Sequence, residues 1–159
     1  MDKSFNAVTF RLQTNTYALD ALKVRGIVGG QVWKPLSLDG EGQSFIQVRG
    51  QTTPVLDLRR KFGMPEISKG GLNSFIAVQS PGVERDRLVA LWVDEILEII
   101  NVPEEELKTV PDSFQGMPAH YLQAMIRGPE GAVYVVNVEE VLSTGFSDGR
   151  GLAMENKAS

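Results

Sequence analysis

Phe45-Ile-Gln-Val-Arg-Gly-Gln-Thr-Thr-Pro-Val-Leu-Asp-Leu-Arg-Arg-Lys-Phe62 reads as a strand, a tight turn, a second strand and a short basic helix. Side chains alternate with period two in an extended chain, so Phe45, Gln47 and Arg49 face one way and Ile46 and Val48 the other. Gly50 supplies the backbone freedom for the reversal. Pro54 cannot donate a ladder hydrogen bond and belongs at a strand start or edge. Asp57 is placed to cap the helical turn Leu58 to Phe62. No nucleophile, metal cluster or phosphate cradle is present in this stretch. A cation at the end of an apolar strand, Arg49, points instead to a docking surface.

Composition narrows the rest. A chain of 159 residues makes one domain, or two small units sharing a core. A net charge of −4 argues against a nucleic-acid partner, which calls for a basic face. With no cysteine there is no disulfide, no thiolate zinc site and no cysteine nucleophile. The N-terminus lacks a basic stretch followed by an apolar run, and the most apolar segment, Leu88 to Val102, carries Asp94, Glu95 and Glu98. The expectation is a soluble cytoplasmic protein with no membrane insertion.

Outward from the opening stretch, short β-branched and aromatic segments alternate with turn signals. Ala7 to Leu12 and Tyr17 to Asp20 read as strands, and Ala21 to Val28 continues the second or forms one helical turn. Gly29-Gly30 marks a change of direction. Val32 to Leu38 stays ambiguous because of Pro35, and Asp39 to Gly42 is a loop. Strands are expected at Ser44 to Arg49 and Thr53 to Asp57. Pro65 to Leu72 is a connector, Ser74 to Gln79 a strand, and Ser80 to Asp86 a hairpin loop. Arg87 to Val102 reads as one bent strand, and Pro103 to Leu107 as a helical turn with acids at its positive end. Lys108 to His120 is irregular. Tyr121 to Arg127 and Ala132 to Val138 are strands, Glu139 to Ser143 is a short helix, and residues 144–159 form a disordered tail.

Many short strands with few helical residues indicate a pair of small barrels. An internal echo points the same way. Ala18-Leu19 with Val24, Ile27 and Val28 recurs as Ala90-Leu91 with Ile96, Ile99 and Ile100. Pro54 to Arg60 is echoed by Val135 to Glu140, each a strand entering a short helix with a polar residue at the junction.

Three blocks resemble the CheW-like domain family, whose members include bacterial chemotaxis adaptors. They are Phe10-Arg11-Leu12 with Tyr17 to Arg25; Val48-Arg49-Gly50 with Pro54 to Arg59; and Leu91 to Ile96. Val135 to Leu142 is similar to the family's closing strand and helix, so the resemblance runs from about Val8 to Ser143. It implies a mostly β fold of two five-stranded SH3-like barrels sharing a hydrophobic core, with a few short helices. Residues 1–143 then make a single domain, with a first barrel at about 7–64 plus a closing C-terminal segment and a second at about 73–138.

The resemblance also implies no enzymatic activity and no cofactor or metal. Members bridge the cytoplasmic tip of a methyl-accepting chemoreceptor and the regulatory domain of a CheA-type histidine kinase, and they meet other CheW-like domains in rings. Arg49, Val24, Ile27 and Val28 are then the receptor-side residues, and Gly50 and Thr53 the kinase side. This chain departs from the family where Gly26 stands for an acidic residue, where 39–47 is shortened, at Trp33, and at Asn137 in place of an aspartate. Those departures bear on partner choice and keep open a type IV pilus or other chemosensory pathway.

Other readings are weighed on the residues themselves. A general SH3-like peptide-binding module needs an aromatic groove, and aromatics are dispersed at 8%. A small hydrolase or isomerase needs a titratable cluster. Asp57 and Asp94 better suit turn and helix-start stabilisation. His120, the one histidine, sits in a Pro/Gly-rich loop. Arg59-Arg60-Lys61 and Glu104-Glu105-Glu106 read as solvated helix ends.

Overall fold

The computed structural model describes residues 3–31, 44–64, 73–80, 87–110, 121–129 and 131–143. The expectations for 32–42, 65–72, 81–86, 111–120 and 144–159, including Trp33 and His120, lie outside the described residues.

The strands are β1 (Ser4–Leu12), β2 (Asn15–Asp20), β3 (Val24–Gln31), β4 (Phe45–Val48) and β5 (Gln51–Asp57). They continue with β6 (Asn73–Gln79), β7 (Leu88–Val93), β8 (Glu95–Pro103), β9 (Leu122–Gly128) and β10 (Gly131–Val136). Helix α1 (Leu58–Lys61) follows β5 and α2 (Val138–Ser143) follows β10. Single 3-10 turns at Ala21–Lys23 and Glu104–Glu106 follow β2 and β8.

Two five-stranded sheets result, ordered β8-β1-β2-β10-β9 and β3-β6-β7-β5-β4. Each curls into a barrel. In the first, Lys108, just past the second 3-10 turn, exchanges backbone hydrogen bonds of 2.7 and 2.9 Å with Met125 of β9. In the second, β4 comes against β3, so that a Cβ on Gly26 would stand 3.4 Å from Val48 Cγ1.

The barrels are interleaved along the chain, which corrects the contiguous division at 7–64 and 73–138. The hairpin β1–β2 takes its other three strands from the second half, and the hairpin β6–β7 takes its three from the first. The reason lies in the parallel pairs β2–β10 and β5–β7. Parallel neighbours cannot be joined by a tight turn, and here each crossover runs through the other barrel.

The echo in the sequence is a repeat in space. Val8 faces Leu19 and Phe10 faces Tyr17 in one barrel; Ile76 faces Leu91 and Val78 faces Val89 in the other. Ala18 pairs with Val135 across one parallel contact, and Ala90 with Val55 across its counterpart.

Alternation along the strands sorts the core into three. Val8, Phe10, Leu12, Tyr17 and Leu19 meet Leu56, Phe62, Ile76, Val78 and Leu91 in a large core between the barrels. Ala7, Ala18, Val102, Ile126 and Val133 fill the first barrel, and Val55, Phe75 and Ala90 the second. Tyr17, fully buried, stacks on Phe10 and leans on Phe62 from the other barrel, and burial pushes its phenol above the ordinary pKa of 10.0.

Two local expectations change. The bent strand expected over Arg87 to Val102 is two strands, which part at Asp94 and enter different barrels. The direction change at Gly29-Gly30 does not occur, because β3 runs on to Gln31, paired with Asn73 of β6. The glycine pair is absorbed as a shift of register after Val28, a usual use of glycine inside a strand.

Candidate functional site

The six residues singled out in the sequence all lie on β3 or on the β4–β5 hairpin, and the structure gives them different positions. Val24 and Val28 are half-buried. Val24 pairs with Val78 and packs on the inter-barrel core, whereas Val28 pairs with Phe75 and packs into the second barrel. Ile27 pairs with Ile76, so it shares the face turned toward the other barrel, yet it is 48% exposed.

Its counterpart in the repeat behaves alike. Ile99 of β8 pairs with Val8, again on the inter-barrel face, and is 63% exposed. β3 and β8 are the end strands of their sheets, and β8 packs along β6, the strand to which β3 is bonded. The two isoleucines thus lie where the seam between the barrels is left uncovered, and Leu97 and Leu22 add exposed apolar surface nearby in the chain. Sequence reading found Ile27 and missed Ile99 and Leu22, although the echo pairing Ile27 with Ile99 was the available signal.

The β8 side carries a built irregularity. Thr9, buried between Val8 and Phe10, donates its hydroxyl to Glu98 O at 2.7 Å and accepts the Glu98 N–H at 3.0 Å. Those bonds hold a bulge in which Leu97 and Glu98 stand opposite one residue of β1.

Arg49 and Gly50 are the two central residues of the turn closed by Val48 and Gln51. Their φ values, 53° and 78°, are both positive, as a type I′ hairpin turn requires. Glycine adopts this freely, but for arginine the left-handed region costs about 1–2 kcal/mol. Arg49 is exposed and reaches back over β3, where its Nε would lie 3.7 Å from a Cβ at Gly26.

Gly50 is exposed at the tip of the same turn, but Thr53 is 1% exposed and donates its hydroxyl to Gln51 O at 2.9 Å. Thr53 is therefore corrected from a surface contact to an internal brace of the hairpin.

A larger correction concerns Arg59, expected on a solvated helix end and found only 2% exposed. Its Nε lies 3.3 Å from Asp57 Oδ1, its Nη1 lies 3.0 Å from Asp94 Oδ1, and its guanidinium carbon sits 4.8 Å from the centre of the Trp92 ring. The Asp94 contact is a charge pair without hydrogen-bond alignment. Asp57 also accepts the Arg59 N–H, and Asp94 Oδ2 accepts the Gln13 N–H at 2.6 Å. Both carboxylates thus do the backbone work expected of them and are also neutralised by one buried cation. Arg60 is exposed as expected, and Lys61 lies over the Tyr121 ring.

This arrangement offers an apolar seam, a flanking cation and rigid supports, and no acid–base pair set at a cavity. Among the described residues, no group of three or more acidic or histidine side chains is placed to hold a metal ion. No described helix is long and apolar enough to cross a membrane.

A family model described as the CheW-like domain matches residues 6–145. The chain belongs to the CheW-like domain family. A similar relative, the Chemotaxis protein CheW of Treponema pallidum (strain Nichols), is 22% identical over 144 residues, covering 90% of this chain and 85% of that protein. The Chemotaxis protein CheW of Klebsiella aerogenes is 26% identical over 136 residues, covering 85% and 80%. Among solved structures, the scaffolding protein TtCheW from Thermoanaerobacter tengcongensis aligns with a TM-score of 0.72 at 20% identity, over 94% of this chain and 97% of that one. This likeness confirms the two-barrel CheW-like architecture.

Proposed function

We propose that this chain is a non-catalytic cytoplasmic adaptor of a chemosensory array, coupling the cytoplasmic tip of a chemoreceptor to the CheW-like regulatory domain of a CheA-type histidine kinase. The observation that carries the reading is the uncovered pair Ile27 and Ile99 on the inter-barrel face, with Arg49 beside them. An amphipathic helix docks by laying apolar anchors into such a seam. Membership of the CheW-like family and relatives named for chemotaxis support the same role.

The receptor tip engages the seam through Ile27 and Arg49, with Val24 and Val28 setting its floor from beneath. The kinase domain, or another CheW-like domain in a ring, meets the β4–β5 turn at Gly50. Two weak contacts on one small body become strong together when the partners are held in an array, because each raises the effective concentration of the other.

The test is binding of the purified chain to a recombinant receptor-tip hairpin and to a kinase regulatory domain encoded in the same genome. Binding of both, with the receptor affinity weakened by Arg49→Glu in a protein of unchanged melting temperature, is the expected result. Binding of neither by the wild type sinks the adaptor reading. Receptor binding indifferent to Arg49→Glu removes Arg49 from the contact.

A further inference from the structure

The Arg49 side chain leaves its turn and passes over a residue that has no side chain of its own. A Cβ built on Gly26 would lie 3.4 Å from Val48 Cγ1, 3.7 Å from Arg49 Nε and 3.8 Å from Ala77 Cβ. These are ordinary contact distances, and Gly26 does not have a positive φ, so neither space nor backbone demands glycine here. The missing side chain leaves a notch walled by Val48 and Ala77 and edged by a guanidinium.

Cations along the neighbouring chain are already committed. Lys23 pairs with Glu139, and Arg25 donates to Leu22 O at 2.7 Å and to Gln79 Oε1 at 3.2 Å. Arg59 is buried between Asp57 and Asp94. Among the described residues, no hydrogen bond or ion pair engages the Arg49 side chain. Its strained turn conformation nevertheless holds it at the notch, and Ile27, exposed, is the next residue of β3.

We propose that the notch over Gly26 receives one carboxylate side chain of the docking helix, bound by Arg49, and that Gly26 is the residue setting this preference. A guanidinium takes a carboxylate through paired charge-assisted bonds, and the absent side chain lets that carboxylate reach it. An apolar residue three or four positions along the helix falls on the same face and meets Ile27. A glutamate at position 26 would satisfy Arg49 from within and close the notch. The inference rests on the helix-docking reading of the seam and adds to it the chemistry of one anchor.

The experiment measures binding of a receptor-tip hairpin by calorimetry, with each acidic residue of the tip changed in turn to its amide. The wild type, Gly26→Glu, Gly26→Ala, Arg49→Gln and Ile27→Glu proteins are compared after their melting temperatures are matched. One amide change is expected to weaken binding to the wild type about tenfold, the scale of a lost charge-assisted contact. The same change is expected to leave Gly26→Glu and Arg49→Gln indifferent, and Gly26→Glu to bind the unchanged tip about tenfold more weakly than Gly26→Ala. Should Gly26→Glu melt early, Arg49→Gln carries the comparison alone. Binding lost in Ile27→Glu but unaffected by every amide change leaves the docking seam in place and overturns the notch. No binding of the unchanged tip to the wild type overturns both.

Discussion

The guanidinium of Arg59 lies 3.0 Å from Asp94, and the other oxygen of that carboxylate accepts the Gln13 N–H. Arg59 follows β5 of the second barrel, Gln13 sits in the β1–β2 turn of the first, and Asp94 is the point where the chain passes between them. One charge pair therefore ties both barrels to their crossing point.

Removing the cation alone should be costly. Arg59→Met leaves Asp57 and Asp94 facing each other without their counter-charge, Asp94 with a side chain 11% exposed. A loss of about 3–5 kcal/mol is expected, the range for breaking a buried pair by one partner. Urea unfolding checks it. The double change Arg59→Met with Asp94→Leu should recover part of the loss, and a strictly additive double mutant would show that the two side chains do not interact.

The exposed isoleucines should behave in the opposite way. Ile27→Ser and Ile99→Ser each remove apolar surface that faces water in the free protein. Stability is expected to change by no more than about 0.5 kcal/mol, as for surface sites without a special role. Receptor-tip binding should weaken about tenfold or more for the central anchor of a helix-in-groove contact. A large loss of stability in either variant would place that side chain in the core instead.

Glu139 of α2 pairs with Lys23 of the first 3-10 turn, and that hydrogen bond holds its carboxyl below the ordinary pKa of 4.5. A carboxylate with a depressed folded pKa adds stability above its unfolded pKa, and the contribution fades as pH falls through the folded value. Glu139→Gln should thus cost something near neutral pH, within about 1 kcal/mol because the pair is exposed. The difference between wild type and variant should close in acid. Chemical unfolding of both proteins across the acidic range checks the sign, and a gap that widened as pH fell would contradict it.

Much of the fold was legible because strands announce themselves locally. Phe10-Arg11-Leu12 and Val48-Arg49-Gly50 are readable as strand and turn from period and glycine alone, and Asp57 and Asn137 stand where helix starts need acceptors. The echo of Ala18-Leu19 in Ala90-Leu91 was legible too, and these alanines are the ones facing the parallel strands β10 and β5. Partner choice was not legible. Nothing in β1–β2 says that its neighbours come from the far half of the chain, because alternation fixes which face is apolar and not which strand lies alongside.

The site was legible only in part, for the same reason. Burial of Arg59 is created by Asp94 and Trp92, brought to it by the fold, while its own neighbours Arg60 and Lys61 make it look like a solvated charge run. Thr53 looked like a hairpin surface residue until its hydroxyl turned inward to Gln51. Ile27 could be named from β3, but its exposure depends on how far the other barrel extends over it.

The interleaving of the halves bears on how the molecule is made. During synthesis β1–β2 leaves the ribosome first, yet β10, its parallel neighbour, is the last strand to emerge. The second barrel can close once β7 is free, whereas the first must keep the apolar face of Val8, Phe10 and Leu19 unfinished until translation nears its end. The finished second barrel offers Ile76, Val78 and Leu91 to that waiting face, so the barrel completed first serves as the template on which the other is assembled.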